Sequence, residues 1–329
     1  MSPPPVNNRE GGFILVVVLG AVLVLSALLF GFNQSARLSL KTADAFCQGE
    51  QAWNGAWAGL QVAVAAVRDA NDLCMHPLVA ESLPGDSTFS IGEAHCSVTV
   101  CDESGLLNVN RLKGEQGQLN RPLIDQFLRL IDLLNRRDRD QERIGYGIVP
   151  SIIDWVDPDS ETTHLEFVKN ENTGAEDDHY RMRSPVCPCR NKPVEIVDDL
   201  LPVRRMSPEN LGRLRPYLTC AGDGKININA APKLIVESLS EQIDGALAEM
   251  IVSQRRRKPF ATVAALRKVP GMTDNIYQSI RDAVTVRADE RYYRVTSHGN
   301  LGDRKTRIEA ILWRNPRRQN VDIIYYREL

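Results

Sequence analysis

An uninterrupted apolar stretch near the N-terminus is the strongest hydrophobic pattern in this chain. Residues 13–32 contain no charged side chain, and about twenty helical residues are needed to cross the roughly 30 Å hydrocarbon core of a bilayer. A cleaved secretory signal carries its cleavage site after the apolar segment. Here the candidate cleavage point, between Gly12 and Phe13, comes before it. The pattern therefore predicts a membrane-spanning helix that remains in the mature protein.

The same helix is expected to continue beyond the membrane. No proline interrupts the chain between residues 13 and 71, so one helix can run to about residue 71. A stripe of apolar residues at helical spacing is typical of a helix that packs on a sheet of its own chain. The second half of this helix carries such a stripe at Trp53, Trp57, Leu60, Val64 and Val67.

Alternation of apolar and polar residues predicts strands at two separated places. Residues 89–101 alternate, and near the C-terminus the segments YYRVTSHG and TRIEAILWR flank the turn-rich NLGDRK. Between these places, residues 110–287 show mostly helical periodicity. The predicted fold is α+β, with a long N-terminal helix packed on a small antiparallel sheet and a large α-helical insertion between the strands.

Two stretches near the insertion resemble each other. They are DESGLLNVN at residues 102–110 and GDGKININAAP at residues 222–232. Each is a turn followed by an alternation of apolar residues and asparagine that ends near a helix start, where asparagine or proline suits the cap. We interpret them as the entrances to two helical subdomains.

Composition and motifs indicate a protein that is not an enzyme. The formal net charge of −2 provides no overall attraction to nucleic acid. The motifs HExxH, GxSxG and CxxC and the phosphate-binding loop do not occur, and the five histidines are scattered. A periplasmic hydrolase on a stalk therefore has no supporting nucleophile and base. We expect no organic cofactor.

A membrane-tethered DNA receptor is the alternative function. Residues 258–280 resemble a helix-hairpin-helix, and a basic run occupies residues 255–258. Hairpins that hold a phosphate usually carry Gly-apolar-Gly, which lets backbone amides approach the anion. Here the hairpin reads Gly271-Met272-Thr273, and nearby acidic residues dilute the basic run. We therefore expect a protein-packing module and no nucleic-acid partner.

Several motifs taken together resemble one known family. They are GG-FILVVVL, DESGLLNVN, SIIDWVDPDS, GAEDDHY, and GKININAAPKLIVESL followed by SQRRRKPFATVAALRKVPGM. In this order they are similar to the K-type minor pseudopilins of the type II secretion system, over most of the chain. The resemblance implies a leader at 1–12, a transmembrane segment at 13–32 and a pilin-like α/β domain at 33–110 plus 288–329. It also implies two helical subdomains. The first, at 111–218, is sterile-alpha-motif-like and contains a calcium loop, and the second, at 219–287, is helix-hairpin-helix-like.

The resemblance also implies how the N-terminus is processed. The prepilin peptidase would cut after Gly12, and the new amine of Phe13 would be methylated. Most pilin-like subunits carry glutamate at the fifth mature position, whereas this chain has Val17, and the K-type subunit is known for lacking that acid. In other subunits the carboxylate can neutralise a neighbour's terminal ammonium within the membrane. A subunit without it suits the filament tip, where no neighbour lies above.

Location and partners follow from the same resemblance. The chain would be a single-pass inner-membrane protein of a Gram-negative bacterium, with its bulk in the periplasm. Its partners would be the minor pseudopilins I and J, then H and the major pseudopilin, the prepilin peptidase and the inner-membrane assembly platform. It would prime and cap the pseudopilus that exports folded proteins across the outer membrane.

An acidic loop at residues 154–180 is the best candidate for a ligand site. Carboxylates suit a hard cation such as calcium, although a solvated acidic loop is the simpler interpretation of the composition alone. Members of the resembled family bind calcium in the helical domain. By resemblance, the calcium ligands are expected among Asp157, Asp159, Glu176 and Asp177.

The chain contains seven cysteines, an odd number. In the periplasm some would form disulfide bonds, and a zinc site at Cys187 and Cys189 lacks a complete set of four ligands. The expected bridges join Cys187 or Cys189 to Cys220, and Cys74 to Cys96 or Cys101, with Cys47 unpaired.

Overall fold

The computed structural model describes residues 9–69, 87–114, 116–182, 186–287, 291–314 and 320–329. The α-helices in these ranges are α1 Arg9–Asp69, α2 Arg121–Arg137, α3 Ile148–Val156, α4 Asp177–Arg181, α5 Pro208–Leu214, α6 Lys233–Ser238, α7 Gly245–Arg257 and α8 Asp274–Ile280. The strands are β1 Ser87–Ile91, β2 Ala94–Asp102, β3 Leu107–Asn108, β4 Leu218–Thr219, β5 Ile226–Asn227, β6 Val284–Thr285, β7 Arg291–Leu301, β8 Arg304–Arg314 and β9 Val321–Glu328.

Helix α1 has an exposed N-terminal part and a buried face further along. It begins at Arg9, before the predicted start at Phe13, and ends at Asp69. The large apolar side chains of its first part are exposed, as Phe30 illustrates at 73%. Because no other element of the described chain covers them, these side chains can meet lipid or other subunits.

The second part of α1 packs on the sheet, as predicted. Leu60, Val64 and Val67 of the predicted stripe are buried. Trp53 and Trp57 instead lie half-buried at the edge of the contact, with their rings stacked 5.8 Å apart. The centre of the contact is occupied mainly by smaller residues, because the helix approaches the strands too closely for tryptophan.

The main sheet is antiparallel, with the strand order β1-β2-β7-β8-β9. Its predicted packing on the long helix is confirmed. Small residues set the distance between the two layers. A Cβ atom added at Gly299 of β7 would overlap the carbonyl oxygen of Ala52, and one at Gly59 of α1 would overlap the hydroxyl of Ser297. The absence of these Cβ atoms lets α1 and the sheet exclude water between them.

Some predicted elements need correction. Residues 89–101 do not form one strand, because the chain turns at Gly92 and Glu93 to make the β1–β2 hairpin. Gly92 has φ +59°, a conformation that glycine adopts without steric cost. Strand β9 was not predicted, and residues Val263–Lys268, predicted as helix, form a 3-10 helix.

The insertion between β2 and β7 has one continuous hydrophobic core, separate from the core between α1 and the sheet. Helix α2 contributes one face to it, including Phe127, Leu130 and Leu134 with no exposed surface. Helix α3 is buried along its whole length. The helices of the two predicted subdomains therefore pack against each other within this core.

The two similar stretches form matching structures. Each starts a short parallel pair of strands, β3 with β4 and β5 with β6. The first asparagine of each stretch, Asn108 or Asn227, accepts a hydrogen bond from the amide of the second, Asn110 or Asn229. The second asparagine binds the backbone of two distant segments through both ends of its amide. These asparagines tie sequence-distant segments together.

Buried charges join the insertion to the sheet. The chain leaves at the end of β2 and returns at the start of β7, its neighbour in the sheet. Glu103, just after β2, pairs with Arg294 of β7 at 2.6 Å. Glu309 of β8 accepts from Arg327 of β9 at 2.6 Å and from Arg215 of the insertion. Both glutamates are buried, so these pairs hold the insertion in one orientation on the sheet.

Replacing Gly299 with alanine should weaken the contact between α1 and the sheet. The new methyl group would overlap the Ala52 carbonyl, and overpacking of this kind costs about 1–3 kcal/mol. Thermal unfolding of the detergent-solubilised full chain measures the loss. Gly212→Ala is the matched control, because Gly212 lies in α5 with open space around it, and its unfolding temperature should not fall. Equal effects of the two substitutions would contradict the proposed role of Gly299.

Candidate functional site: an acidic cluster in the helical insertion

The acidic cluster lies where the loop after α3 returns to the start of α4. Helix α3 ends at Val156, and the next residue, Asp157, has ψ 157°, because a residue before proline, here Pro158, is disfavoured in the helical region. The loop folds back on itself, with the amide of Leu165 donating to the carbonyl of Asn172 at 2.8 Å. This fold brings Glu176, immediately before α4, next to the end of α3.

Asp154 contacts two parts of the loop, at Thr163 and at Gly174. It is fully buried, and its Oδ1 accepts a hydrogen bond from the amide of Thr163 at 2.8 Å. Its other oxygen lies against Gly174, where an added Cβ atom would overlap it and would lie 2.6 Å from the carbonyl oxygen of Pro150. Asp154 therefore holds these two parts of the loop together, a role that the sequence did not reveal.

Three of the four predicted ligands come together. Asp157, Asp159 and Glu176 each offer a carboxylate oxygen, and these atoms lie within 4.8 Å of one another. Asp157 and Glu176 are buried, at 3% and 7% exposure. Asp177 is engaged elsewhere, because its carboxylate accepts from the amide of Cys189 and from Arg181, both at 2.8 Å. The structure thus separates Asp177 from the cluster.

A lysine that the sequence analysis did not predict reaches into the cluster. The Nζ atom of Lys113 lies 2.6 Å from Oδ2 of Asp157 and 2.6 Å from Oδ2 of Asp159. Lys113 precedes these residues by more than forty positions, so no local pattern could have identified it.

The cluster retains unused acceptors. Among the described residues, no donor has hydrogen-bond geometry to Oδ1 of Asp157 or to either carboxylate oxygen of Glu176. The neighbouring Asp177 amide lowers the pKa of Glu176, but by less than burial raises it. Buried carboxylates without partners are costly, and a divalent cation with oxygen ligands would neutralise them. The donor set therefore fits a hard cation, which Asp157, Asp159 and Glu176 would hold and which would join the two ends of the loop.

Burial and mutual repulsion change the protonation of these carboxyl groups. Burial, reinforced by the charges of Asp154 and Asp157, raises the pKa of Glu176 to about 7. Burial likewise raises the pKa of Asp157 to about 6, although Lys113 opposes this change. The hydrogen bond from Lys113 lowers the pKa of the more exposed Asp159. Two of the three carboxyl groups are therefore hard to ionise without an added cation.

The predicted disulfide bonds among described cysteines are absent. Six cysteines lie in the described ranges, and all are free thiols: Cys47, Cys96, Cys101, Cys187, Cys189 and Cys220. The Sγ atom of Cys189 lies against the Asp154 carbonyl at 3.5 Å, whereas Cys220 lines a cavity beside Glu103 and Arg294. Their side chains thus have different surroundings. Cys74 lies outside the described residues.

The basic run of the helix-hairpin-helix segment, residues 255–258, is exposed only in part. Arg255 is buried and donates to the carbonyl oxygen of Ile228 at 2.5 Å. Arg267 lies 4.2 Å from the ring centre of Tyr277 and pairs with Asp274 at 3.5 Å. Arg255 is thus engaged within the insertion, whereas Arg256, Arg257 and Lys258 are exposed.

The predicted processing positions lie in α1. Gly12 and Phe13 are within this helix, and Val17 is 54% exposed. The most apolar part of this helix is not buried by the rest of the described chain. Among the described helices, α1 is thus long and apolar enough to cross a membrane.

Comparison with known proteins identifies the family. Residues 105–223 match the first-domain family, and residues 226–287 a second family, both described as type II secretion system (T2SS), protein K. The chain is 25% identical over 321 residues to type II secretion system protein K of Pseudomonas aeruginosa, covering 94% of this chain and 90% of that protein. It is 23% identical over 337 residues to the protein of the same name from Aeromonas hydrophila, covering 94% and 95%.

A solved structure shares the fold. It is the crystal structure of the GspK–GspI–GspJ complex from the enterotoxigenic Escherichia coli type 2 secretion system, with a TM-score of 0.64 and 19% identity. The likeness covers 88% of this chain and 99% of the compared chain. With the sequence matches, it defines a pilin-like subunit that carries a helical insertion. The chain belongs to the type II secretion system protein K family of minor pseudopilins, and its role is structural and not catalytic.

Without a divalent cation, Glu176 should make the protein less stable as pH rises. Its pKa is about 7 in the folded protein and 4.5 in its ordinary state, so between these values the folded state binds more protons than the unfolded state. Stability therefore falls with increasing pH across this window. Glu176→Gln should remove this contribution and raise the unfolding temperature in chelator at pH 8 by about 2–4 °C.

Thermal unfolding in chelator across a pH series measures both effects. Glu166→Gln is the control, because Glu166 is an exposed glutamate of the same loop. A Glu176→Gln protein that keeps the wild-type pH profile would show that Glu176 is not protonated in the folded state.

Proposed function

We propose that this chain is the tip subunit of the pseudopilus, where it primes and caps assembly together with the minor pseudopilins I and J. The observation that carries the proposal is the likeness, over 88% of this chain, to a chain in a structure described as a GspK–GspI–GspJ complex. The H-type and major pseudopilins would follow below. The prepilin peptidase and the inner-membrane assembly platform would be its partners before and during assembly.

The size and position of the insertion support a place at the end of the fibre. The insertion occupies the chain from the end of β2 to the start of β7 and has its own core. A close-packed helical shaft has little room for such a body beside each subunit, whereas the tip has no subunit above it. Val17 supports the same place, because an apolar residue there supplies no carboxylate to a neighbour's terminal ammonium.

The N-terminal segment would be processed before assembly. Cleavage after Gly12 would leave a methylated Phe13 at the start of an apolar helix with exposed side chains. This helix would cross the inner membrane once, with the remaining chain in the periplasm. The leader is 1–12, the membrane segment 13–32, the pilin-like domain 33–110 plus 288–329, and the two helical subdomains 111–218 and 219–287.

Calcium would bind in the first helical subdomain. Support comes from three carboxylates whose oxygens lie within 4.8 Å of one another, two of them buried. The ligands would be Asp157, Asp159 and Glu176. Asp177, whose carboxylate binds Cys189 and Arg181, would support the loop from outside the cluster. Calcium would thus connect the end of α3 to the start of α4.

Isolation of the chain from membranes with its system's I-type and J-type pseudopilins tests the proposed role. We expect the three full-length proteins to co-purify in equal amounts and the chain to begin at methylated Phe13 in mass spectrometry. The major pseudopilin serves as the control partner and should not replace either minor pseudopilin in this complex. An intact N-terminus at Met1 in functional material, or no complex with the I and J types, would contradict the proposal.

Calcium should raise the unfolding temperature of the detergent-solubilised full chain. At a calcium concentration one hundred times the Kd, the expected gain is about 2.7 kcal/mol. The double substitution Asp157→Asn and Asp159→Asn should abolish this gain, because it removes two ligand charges. Asp178→Asn is the matched control, since Asp178 is exposed and lies outside the cluster. Identical unfolding curves with calcium and with chelator would remove the calcium site.

A further inference from the structure

Lys113 occupies an unusual position relative to the acidic cluster. Its ammonium group lies 2.6 Å from one oxygen of Asp157 and 2.6 Å from one oxygen of Asp159. Only 15% of its side chain is exposed. A positive side chain is therefore bound by two of the three carboxylates that would hold a cation.

The backbone around Lys113 holds this side chain within reach of the cluster. Lys113 forms an isolated antiparallel bridge with Leu119. The turn between them is closed by hydrogen bonds between Gly114 and Gln118 and between Gly117 and Gly114. Lysine has a flexible four-carbon stem that carries a compact charge. The ammonium can therefore leave the carboxylates without any movement of the backbone.

The lysine alone does not complete the neutralisation of the cluster. Oδ1 of Asp157 and both oxygens of Glu176 have no hydrogen-bond donor among the described residues. Glu176 is more than nine-tenths buried. Most buried polar groups in proteins have a hydrogen-bond partner. Here one ammonium serves two carboxylates and makes no hydrogen bond to the third.

We propose that Lys113 is a built-in counter-ion that holds the acidic loop in the absence of a divalent cation and is displaced when the cation binds. The proposal rests on the calcium site proposed above. The ammonium and the cation use oxygens of the same two aspartates, so they compete. Lys113 therefore lowers the affinity for calcium, and it keeps the ends of the loop together at low calcium concentration.

Lys113→Met tests this competition, because methionine keeps much of the stem and removes the charge. In chelator, its unfolding temperature should be about 2–4 °C below that of the wild type, since the buried Asp157 and the partly exposed Asp159 both lose their donor. With calcium chloride, calorimetric titration of the full chain in detergent should show roughly tenfold tighter binding than the wild type. Lys169→Met, at an exposed lysine of the same subdomain, should match the wild type in both measurements.

The wild-type protein allows a second test that does not depend on the folding of a variant. Acylation of lysines by an N-hydroxysuccinimide ester, followed by mass spectrometry, reports how accessible each amine is. Calcium should raise the modification rate at Lys113 severalfold and leave the rate at Lys169 unchanged. An unchanged rate at Lys113 under saturating calcium would overturn the displacement.

The outcomes separate the two proposals. If the wild type binds calcium and Lys113→Met binds it equally or more weakly, the counter-ion role is wrong and the calcium site stands. If neither protein binds calcium, the site itself is wrong, and the counter-ion role falls with it. Tighter binding by Lys113→Met together with increased modification of wild-type Lys113 supports both proposals.

Discussion

Neutralisation of buried charge at the junction between sheet and insertion determines how the two parts of this protein are arranged. Glu103 and Glu309 are buried, and each lies against arginines from other strands or from the insertion. Loss of one partner of a buried pair typically costs about 3–5 kcal/mol, because it leaves the other charge uncompensated. An orientation of the insertion that moved Arg215 away from Glu309 would lose one such pair. The ion pairs therefore select an orientation that hydrophobic contact alone would leave less defined.

In the acidic cluster, the buried negative charge is neutralised only in part. At the junction, several arginines surround Glu309, whereas at the cluster one lysine contacts two of the three carboxylates. Burial, together with the neighbouring carboxylates, raises the pKa of Glu176 and Asp157. Such a site is well suited to an external cation, because the protein supplies the ligands but too few positive charges. The two charge clusters thus have different consequences: one fixes the domain arrangement, and the other makes a loop responsive to ions.

The architecture explains how a pilin-like subunit can carry so large a body. The insertion begins and ends at neighbouring strands, with Asp102 paired to Tyr293, so the sheet continues as though the insertion were absent. The core between α1 and the sheet is separate from the core of the insertion. Helix α1 is divided in the same way. Its second part packs on the sheet through a buried face, whereas its first part exposes apolar side chains. A subunit can therefore keep the stem of a fibre-forming protein while its far end acquires a different function.

The sequence by itself determined the long apolar helix, the β7–β8 hairpin, the main helices of the insertion and the acidic loop; the resemblance to a family added the individual carboxylates of the cluster. These features depend on local periodicity or on composition within one short segment. The β1–β2 hairpin depends on the local turn at Gly92. Tertiary structure alone decided the separation of Asp177 from the cluster and the arrival of Lys113. Each depends on which distant segments become neighbours, and no local pattern specifies that. Buried charges find their partners only after the chain has folded, because residues as far apart as Lys113 and Asp157 meet only through packing of the whole insertion.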